Sequence, residues 1–164
     1  MRLANKIQKQ LINFATGGGY EIVIPNFYFG IYEMDLFRLT NSEIIYEYEI
    51  KISRSDFFAD FKKKFGNETK HSRFENKSCA CNKFFFVVPE NMVGIEEVPS
   101  YAGLIYYLGG GFKIIKAAPM LKKKDKINYQ SLAKSLAWRD QLTRQKLNQI
   151  KRQFDEYKKQ FLNR

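Results

Sequence analysis

The apolar positions of this chain change period several times, and each change marks an element. Over residues 2–14, Leu3, Ile7, Leu11, Ile12 and Phe14 fall close to an i, i+4 spacing, which predicts an amphipathic helix. Gly17, Gly18 and Gly19 end it, since glycine takes the left-handed conformation of a helix C-terminus without steric cost. A phosphate-cradling loop would need Lys-Ser/Thr and a helix to follow, and here a strand follows. The period then drops to two. Residues 20–24 read as a short strand closed by Pro25-Asn26, and 28–39 and 44–52 as the two long strands of a hairpin turning at Thr40-Asn41-Ser42-Glu43.

At Ser53 the helical period returns. Ser53-Arg54-Ser55-Asp56 is close to a capping box with Asp in place of Glu. Phe57, Phe58, Phe61 and Phe65 then recur at helical spacing as a core face, with Asp56, Asp60, Lys63 and Lys64 opposite. Residues 66–77 are polar and read as a loop or frayed helix end. The apolar run 83–89 is short and aromatic, the pattern of a strand buried on both faces, and after a crossover helix it should lie parallel to the strand ending at Ile52. Residues 103–108 and 112–117 flank Gly109-Gly110-Gly111 as a second hairpin. From 129 to 161 nothing breaks a helix, and Leu132, Leu136, Leu142, Leu147, Ile150, Phe154, Tyr157 and Phe161 form an interrupted stripe. Its first half, with Leu132, Leu136 and Trp138, is expected to pack on the core. The second half could project, pair with a second copy of the chain as a homodimer, or lie along nucleic acid.

The central hairpin departs from simple amphipathicity. Strand side chains alternate faces, so Glu33, Asp35, Glu47, Glu49 and Lys51 share one face while Tyr32, Met34, Leu36, Tyr46, Tyr48, Ile50 and Ile52 take the other. A register that sets Asp35 opposite Glu49 leaves the three residues 41–43 as the loop and sets Glu33 opposite Lys51; a one-residue slip would scramble the segregation. Carboxylates gathered beside one lysine repel, which points to a divalent cation as their counterion. Asp35 and Glu49 can hold Mg2+ or Mn2+ through one or two carboxylates and several waters, with Glu33 as a candidate extra ligand or outer acid and Glu47 reaching solvent. Lys51, two residues on, can orient or help deprotonate a water or steady charge developing on phosphorus. The chemistry expected of such a set is metal-assisted phosphodiester hydrolysis.

Composition adds a partner. The length, 164 residues, suits one domain with its own core, and 45 % hydrophobic residues argue that it folds. The net charge of +11 divides into +2 over residues 1–120 and +9 over 121–164, so the basic excess lies in a C-terminal extension distinct from the domain 1–120. Such a tail suits a polyanion, nucleic acid first and an anionic membrane surface second, against the plainer reading of a solvated Lys-rich helix. With no apolar run of the ~20 residues needed to span a bilayer and no secretory h-region, no membrane association is expected and the location is read as cytoplasmic. Cys79 and Cys81 with His71 fall short of the four ligands of a structural zinc site; two buried thiols and a surface histidine are expected instead.

Asp35, thirteen intervening residues, then Glu49-Ile50-Lys51, on the order helix, three strands, helix, strand, resembles the PD-(D/E)XK nuclease superfamily. Glu49-Ile50-Lys51-Ile52-Ser53-Arg54-Ser55-Asp56-Phe57-Phe58-Ala59-Asp60-Phe61-Lys62 is similar to the signature of the MmcB-like DNA-repair family within it. Cys81-Asn82-Lys83-Phe84-Phe85-Phe86-Val87-Val88-Pro89 and Gly103-Leu104-Ile105 continue it in order, and the likeness covers residues 20–119. It implies a three-layer α/β, restriction-endonuclease-like core of order αβββαβ with a mixed sheet, to which this chain adds a β-hairpin and a long basic C-terminal helix. It implies action on DNA, with Asp35 and Glu49 as metal ligands and Lys51 as the catalytic lysine. Ser53, Asp56, Asp60 and Lys62 match the pattern on the following helix, Asp56 and Asp60 orienting Lys51 or anchoring the helix. No proline precedes Asp35 and the first helix lacks an acid that some members carry, a gap that Glu33 could fill. The expectation is a Mg2+-dependent DNA nuclease of repair or processing, host or phage, with Lys62, Lys63, Lys64, Arg144, Lys151 and Arg152 on the phosphates. The alternatives are a nuclease-fold DNA-binding protein with little catalysis and an oligomeric scaffold joined by its C-terminal helix.

Overall fold

Helix α1 (Leu3–Thr16) follows its apolar stripe, burying Ile7, Leu11 and Ala15, and ends at Gly17, whose φ of 53° is the left-handed cap. The computed structural model describes residues 2–17, 21–29, 32–122 and 127–162; Gly18, Gly19 and Tyr20 of the predicted loop and strand start lie outside them, as does Gly30. Six strands form one mixed sheet: β1 (Ile22–Tyr28), β2 (Glu33–Leu39), β3 (Ile45–Ile50), β6 (Lys83–Pro89), β7 (Ala102–Tyr107) and β8 (Phe112–Lys116), side by side in that order. Between β3 and β6 come α2 (Arg54–Asp60), a small hairpin of β4 (Lys64–Phe65) and β5 (Glu68–Thr69), and α3 (Lys70–Glu75). β1, β2 and β3 run antiparallel in turn; β3, β6 and β7 are parallel, as expected across the helical crossover; and β8 returns antiparallel to β7 as the second hairpin.

The β2–β3 register is the one that the charge pattern required. Leu36 pairs with Tyr48 and Phe37 with Glu47, and the Glu43 amide donates to the Thr40 carbonyl to close the turn, with Glu43 itself left-handed at φ 57°. β6 is buried on both faces. Phe85 and Val87 share a core cluster with Ile7, Leu11 and Ala15 of α1 and with Leu36, Tyr48 and Ile50 of the neighbouring strands, whereas Phe86 meets Phe57 of α2 with ring centroids 4.8 Å apart and Phe84 meets Phe74 of α3 at 4.3 Å. The sheet is thus sandwiched between α1 on one side and α2 and α3 on the other. On β7, a Cβ at Gly103 would run into the Phe85 ring and the Ala118 backbone, so the close approach there admits only glycine.

Four predicted boundaries moved. β1 runs through Pro25, with Asn26 in the left-handed region at φ 49°, and ends at Tyr28, so that of the predicted strand 28–39 only Glu33–Leu39 forms β2; a run of strand-forming aromatics carries little punctuation. α2 stops at Asp60 because the Lys62 and Lys63 amides fold back onto the Ala59 and Asp60 carbonyls. Phe65 therefore lies in β4, and Phe58, expected in the core, is 43 % exposed. The stretch read as loop, 66–77, holds β5 and α3, the latter capped by the Thr69 hydroxyl accepting from the Ser72 amide. The thiols of Cys79 and Cys81 are free and buried at the entrance to β6, as expected.

The chain divides into two compact units, Met1–Ile127 and Asn128–Arg164. The second is helix α4 (Tyr129–Leu162), 34 residues, started by the Asn128 side chain accepting from the Ser131 amide. On it Leu132 is buried, whereas Leu136 and Trp138, expected in the core, are 38 % and 47 % exposed. Residues 123–126 and the side chains of Phe154, Tyr157 and Phe161 lie outside what is described. Among the described residues no helix is long and apolar enough to cross a membrane.

Candidate active site at the end of the third strand

Strand alternation points Glu47 and Glu49 to the α2–α3 face, opposite Tyr48 and Ile50 in the α1 core. Just past β3, the Lys51 amide still donates to the Val87 carbonyl at 3.0 Å, which holds the chain in strand geometry and keeps the Lys51 side chain on the same face. Asp35 approaches from β2 and accepts from the Ile50 amide through Oδ2 at 2.7 Å. The three residues singled out from sequence, Asp35, Glu49 and Lys51, do come together.

They belong to a larger buried network. Lys51 Nζ lies 2.8 Å from Glu49 Oε1 and 2.7 Å from Asp60 Oδ1. Lys70 Nζ lies 2.6 Å from Glu49 Oε2 and 2.8 Å from Glu47 Oε1, with the Tyr32 ring centroid 4.6 Å away. The Tyr32 hydroxyl donates to Glu47 Oε2 at 3.0 Å. On the far side, His71 Nε2 is 2.8 Å from Asp60 Oδ2 and Nδ1 is 2.7 Å from the Tyr101 hydroxyl. An ionised Asp60 only accepts, so Nε2–H donates, and in the neutral ring Nδ1 accepts from Tyr101. The chain of contacts runs Tyr32, Glu47, Lys70, Glu49, Lys51, Asp60, His71, Tyr101, and none of these side chains belongs to the protein surface.

Several positions differ from the sequence reading. Glu47, expected to reach solvent, is fully buried, because Lys70 arrives from α3 to pair with it. Tyr32, assigned to the apolar face, turns to the acids; it precedes β2, where strict alternation does not hold. Asp60, placed on an exposed helix face, is fully buried because α2 ends there and its carboxylate turns inward. His71, read as a surface residue, is buried on α3. Above all, the carboxylates are not short of countercharge: Lys51, Lys63 and Lys70 stand against Glu47, Glu49 and Asp60. Lys70 was missed altogether. The signal that could have found it is the demand itself, four acids and one lysine on a buried face, met by a lysine beside the Thr69 cap.

Of the other candidates, Glu33 is exposed at the start of β2 and takes no part in the network. Ser53 caps α2 by accepting from the Asp56 amide at 3.2 Å. The Asp56 carboxylate is 45 % exposed and 3.9 Å from Lys51, a weaker neighbour than Asp60. Lys62 and Lys64 are exposed; Lys63 reaches back to Asp60 at 2.8 Å. Arg144, Lys151 and Arg152 are exposed on α4, and Arg144 pairs with Asp140 one turn away at 2.7 Å.

The electrostatics separate Asp35 from the rest. Burial and then the charge of Glu49 push its carboxyl up to about 6, the Ile50 amide only partly offsetting them. Burial works against the charge on Glu49 too, but Lys70 and Lys51 outweigh it and hold that carboxyl below its ordinary value. Burial opposes the charge on both lysines, and their carboxylates outweigh it, so Lys51 and Lys70 are raised and fully protonated at neutral pH. Asp60 is held well below the usual carboxylate range, burial being overcome by His71, Lys51 and Lys63.

Among the described residues no three acid, imidazole or thiol groups converge as a ligand set. Magnesium does not need three, since it binds through one or two carboxylates and keeps its waters. Asp35 Oδ1 has no hydrogen-bond partner among the described residues, and Asp35 is the acid of the cluster without a lysine in contact. Asp35 Oδ1 is thus the carboxylate oxygen open to such an ion, whereas the two Glu49 oxygens beside it are held by Lys51 and Lys70.

No family model matches the chain, and no curated protein sequence matches it. Among solved structures it is similar to the SPO1766 protein of unknown function from Silicibacter pomeroyi, with a TM-score of 0.64 at 19 % identity, over 90 % of this chain and 92 % of that one. That likeness concerns the fold.

Proposed function

We propose that the chain is a Mg2+- or Mn2+-dependent DNA nuclease with a restriction-endonuclease-like core, of the PD-(D/E)XK type and resembling the MmcB-like repair proteins. The observation that carries the proposal is the meeting of Asp35 and Glu49 from adjacent strands beside Lys51, whose ammonium is 2.8 Å from Glu49. Asp35 and Glu49 would hold the ion, which supplies charge neutralisation at the scissile phosphate and a water of lowered pKa. Lys51, held between the Glu49 and Asp60 carboxylates, would serve as a cation that steadies negative charge on the phosphate. Asp60 is a positioning residue that fixes Lys51, and His71 with Tyr101 fixes Asp60. Lys62, Lys64, Lys151 and Arg152 are exposed cations available to phosphates; Lys63 is partly spent on Asp60 and Arg144 on Asp140.

The test compares wild type, Asp35→Asn and Lys51→Ala for cleavage of duplex, single-stranded and branched DNA with Mg2+ or Mn2+. Each variant should lose about 100-fold or more; equal nicking by all three would sink the proposal. A second reading, a nuclease-fold DNA-binding protein with little catalysis, is favoured by one observation: both Glu49 oxygens are already held by lysines. It predicts salt-sensitive DNA binding by all three proteins with no cleavage by any.

A further inference from the structure

We infer that Lys70 is a built-in counterion that competes with the divalent ion for Glu49, and that Glu47 is the carboxylate that receives Lys70 when the ion binds. This rests on the reading of Asp35 and Glu49 as the ion's ligands. Glu49 offers two oxygens, and Lys51 and Lys70 hold one each, at 2.8 and 2.6 Å. Lys51 is tied again to Asp60, but Lys70 has a second carboxylate, Glu47, within reach.

Glu47 is built for that role. It is fully buried, its Oε2 is taken by the Tyr32 hydroxyl, and its Oε1 has no aligned hydrogen bond although Lys70 Nζ is only 2.8 Å away. The ammonium is aimed at Glu49 and sits beside Glu47. A small rotation of the flexible lysine stem would align it with Oε1 and free Glu49 Oε2, without leaving a charge stranded in the interior. The Lys70 backbone need not move, since it opens α3 behind the Thr69 cap. Without Glu47, releasing Glu49 would orphan a buried ammonium; without Lys70, Glu49 would carry an oxygen ready for the ion. The two residues therefore pull ion affinity in opposite directions, which a purely structural role for the pair would not do.

The experiment is Mn2+ binding to the full-length protein, read from the electron paramagnetic resonance of free Mn2+, for wild type, Lys70→Met, Glu47→Gln and Asp35→Asn, each checked by thermal melting. Lys70→Met should bind Mn2+ about tenfold more tightly and Glu47→Gln about tenfold more weakly, the scale of one unit charge a few ångströms away in a partly screened site. Asp35→Asn should lose the binding. If Asp35→Asn loses it while Lys70→Met and Glu47→Gln bind as wild type or shift together, the inference fails and the ion site stands. If Asp35→Asn binds as wild type, or neither wild type nor Lys70→Met binds, both fail. Should Lys70→Met not fold, Lys70→Gln and Glu47→Gln carry the same contrast.

Discussion

Tyr48 and Ile50 on one face of β3 and Glu47 and Glu49 on the other are all at most 8 % exposed, yet they are held in place by different physics. The first pair joins an apolar cluster with Ile7, Leu11, Leu36, Phe85 and Val87, where each contact adds a little and neighbours can shift to fill a gap. The second pair sits in a closed set of ion pairs in which desolvation offsets most of the attraction, so the set as a whole contributes little net stability while the loss of one member strands the others. Equal burial therefore hides unequal tolerance. The apolar face degrades by degrees and the charged face fails at once.

The sharpest way to break that contrast is Asp60→Ala. It removes at one stroke the partner of Lys51, Lys63 and His71, and should cost about 4 kcal/mol in urea unfolding. Leu11→Ala, an equally buried deletion on the other face, should cost about 3 kcal/mol by leaving a cavity. If Leu11→Ala proved the more damaging of the two, the network would be more adaptable than its geometry suggests. The smallest effect sharpens the comparison within the charged face. Asp35, whose carboxyl is pushed up to about 6, binds its proton more readily folded than unfolded. Its contribution to stability is full below the unfolded value near 4 and is lost as pH rises through about 6. Asp35→Asn cannot ionise, so without divalent ions its stability relative to wild type should rise by ~2 kcal/mol between pH 4 and pH 7.5. A difference that stays flat across that range would mean that Asp35 already has a countercharge.

How far this was legible depends on the range of the signal. The β2–β3 register could be read because Asp35, Glu49 and Lys51 lie in strands whose alternation is local, and because a slip would have mixed charge with core. α1 and β6 were equally plain, one from a single stripe and the other from an unbroken apolar run. Lys70 and His71 were not legible. They reach Glu49 and Asp60 from 21 and 11 residues away, across a hairpin with strands of two residues, and no periodicity survives in so short a piece. A buried lysine also looks like an exposed one in sequence, because its partner, and not its neighbours, decides where it goes. In sequence the acids call for countercharge without saying where it comes from: Lys51, Lys63 and Lys70 supply it to Glu47, Glu49 and Asp60, while Asp35 has no lysine in contact.

The chain of contacts from Tyr32 to Tyr101 also bears on when in folding it can matter. Apart from Tyr32–Glu47 and Glu49–Lys51, which lie within the β2–β3 hairpin region, its bonds join β3 to α2, α3 and the segment before β7, across separations of up to 30 residues, and these are not complete until the crossover has closed over the sheet. Until then Glu47, Glu49 and Lys51 are better served by water. The network can therefore do little to speed folding, and its weight falls on the way out: to open the crossover, several charges must part from their partners together. Loss of Asp60 should show mainly as faster unfolding, with the rate of folding little changed. The charged face of β3 acts as a latch on a structure that the apolar face assembles.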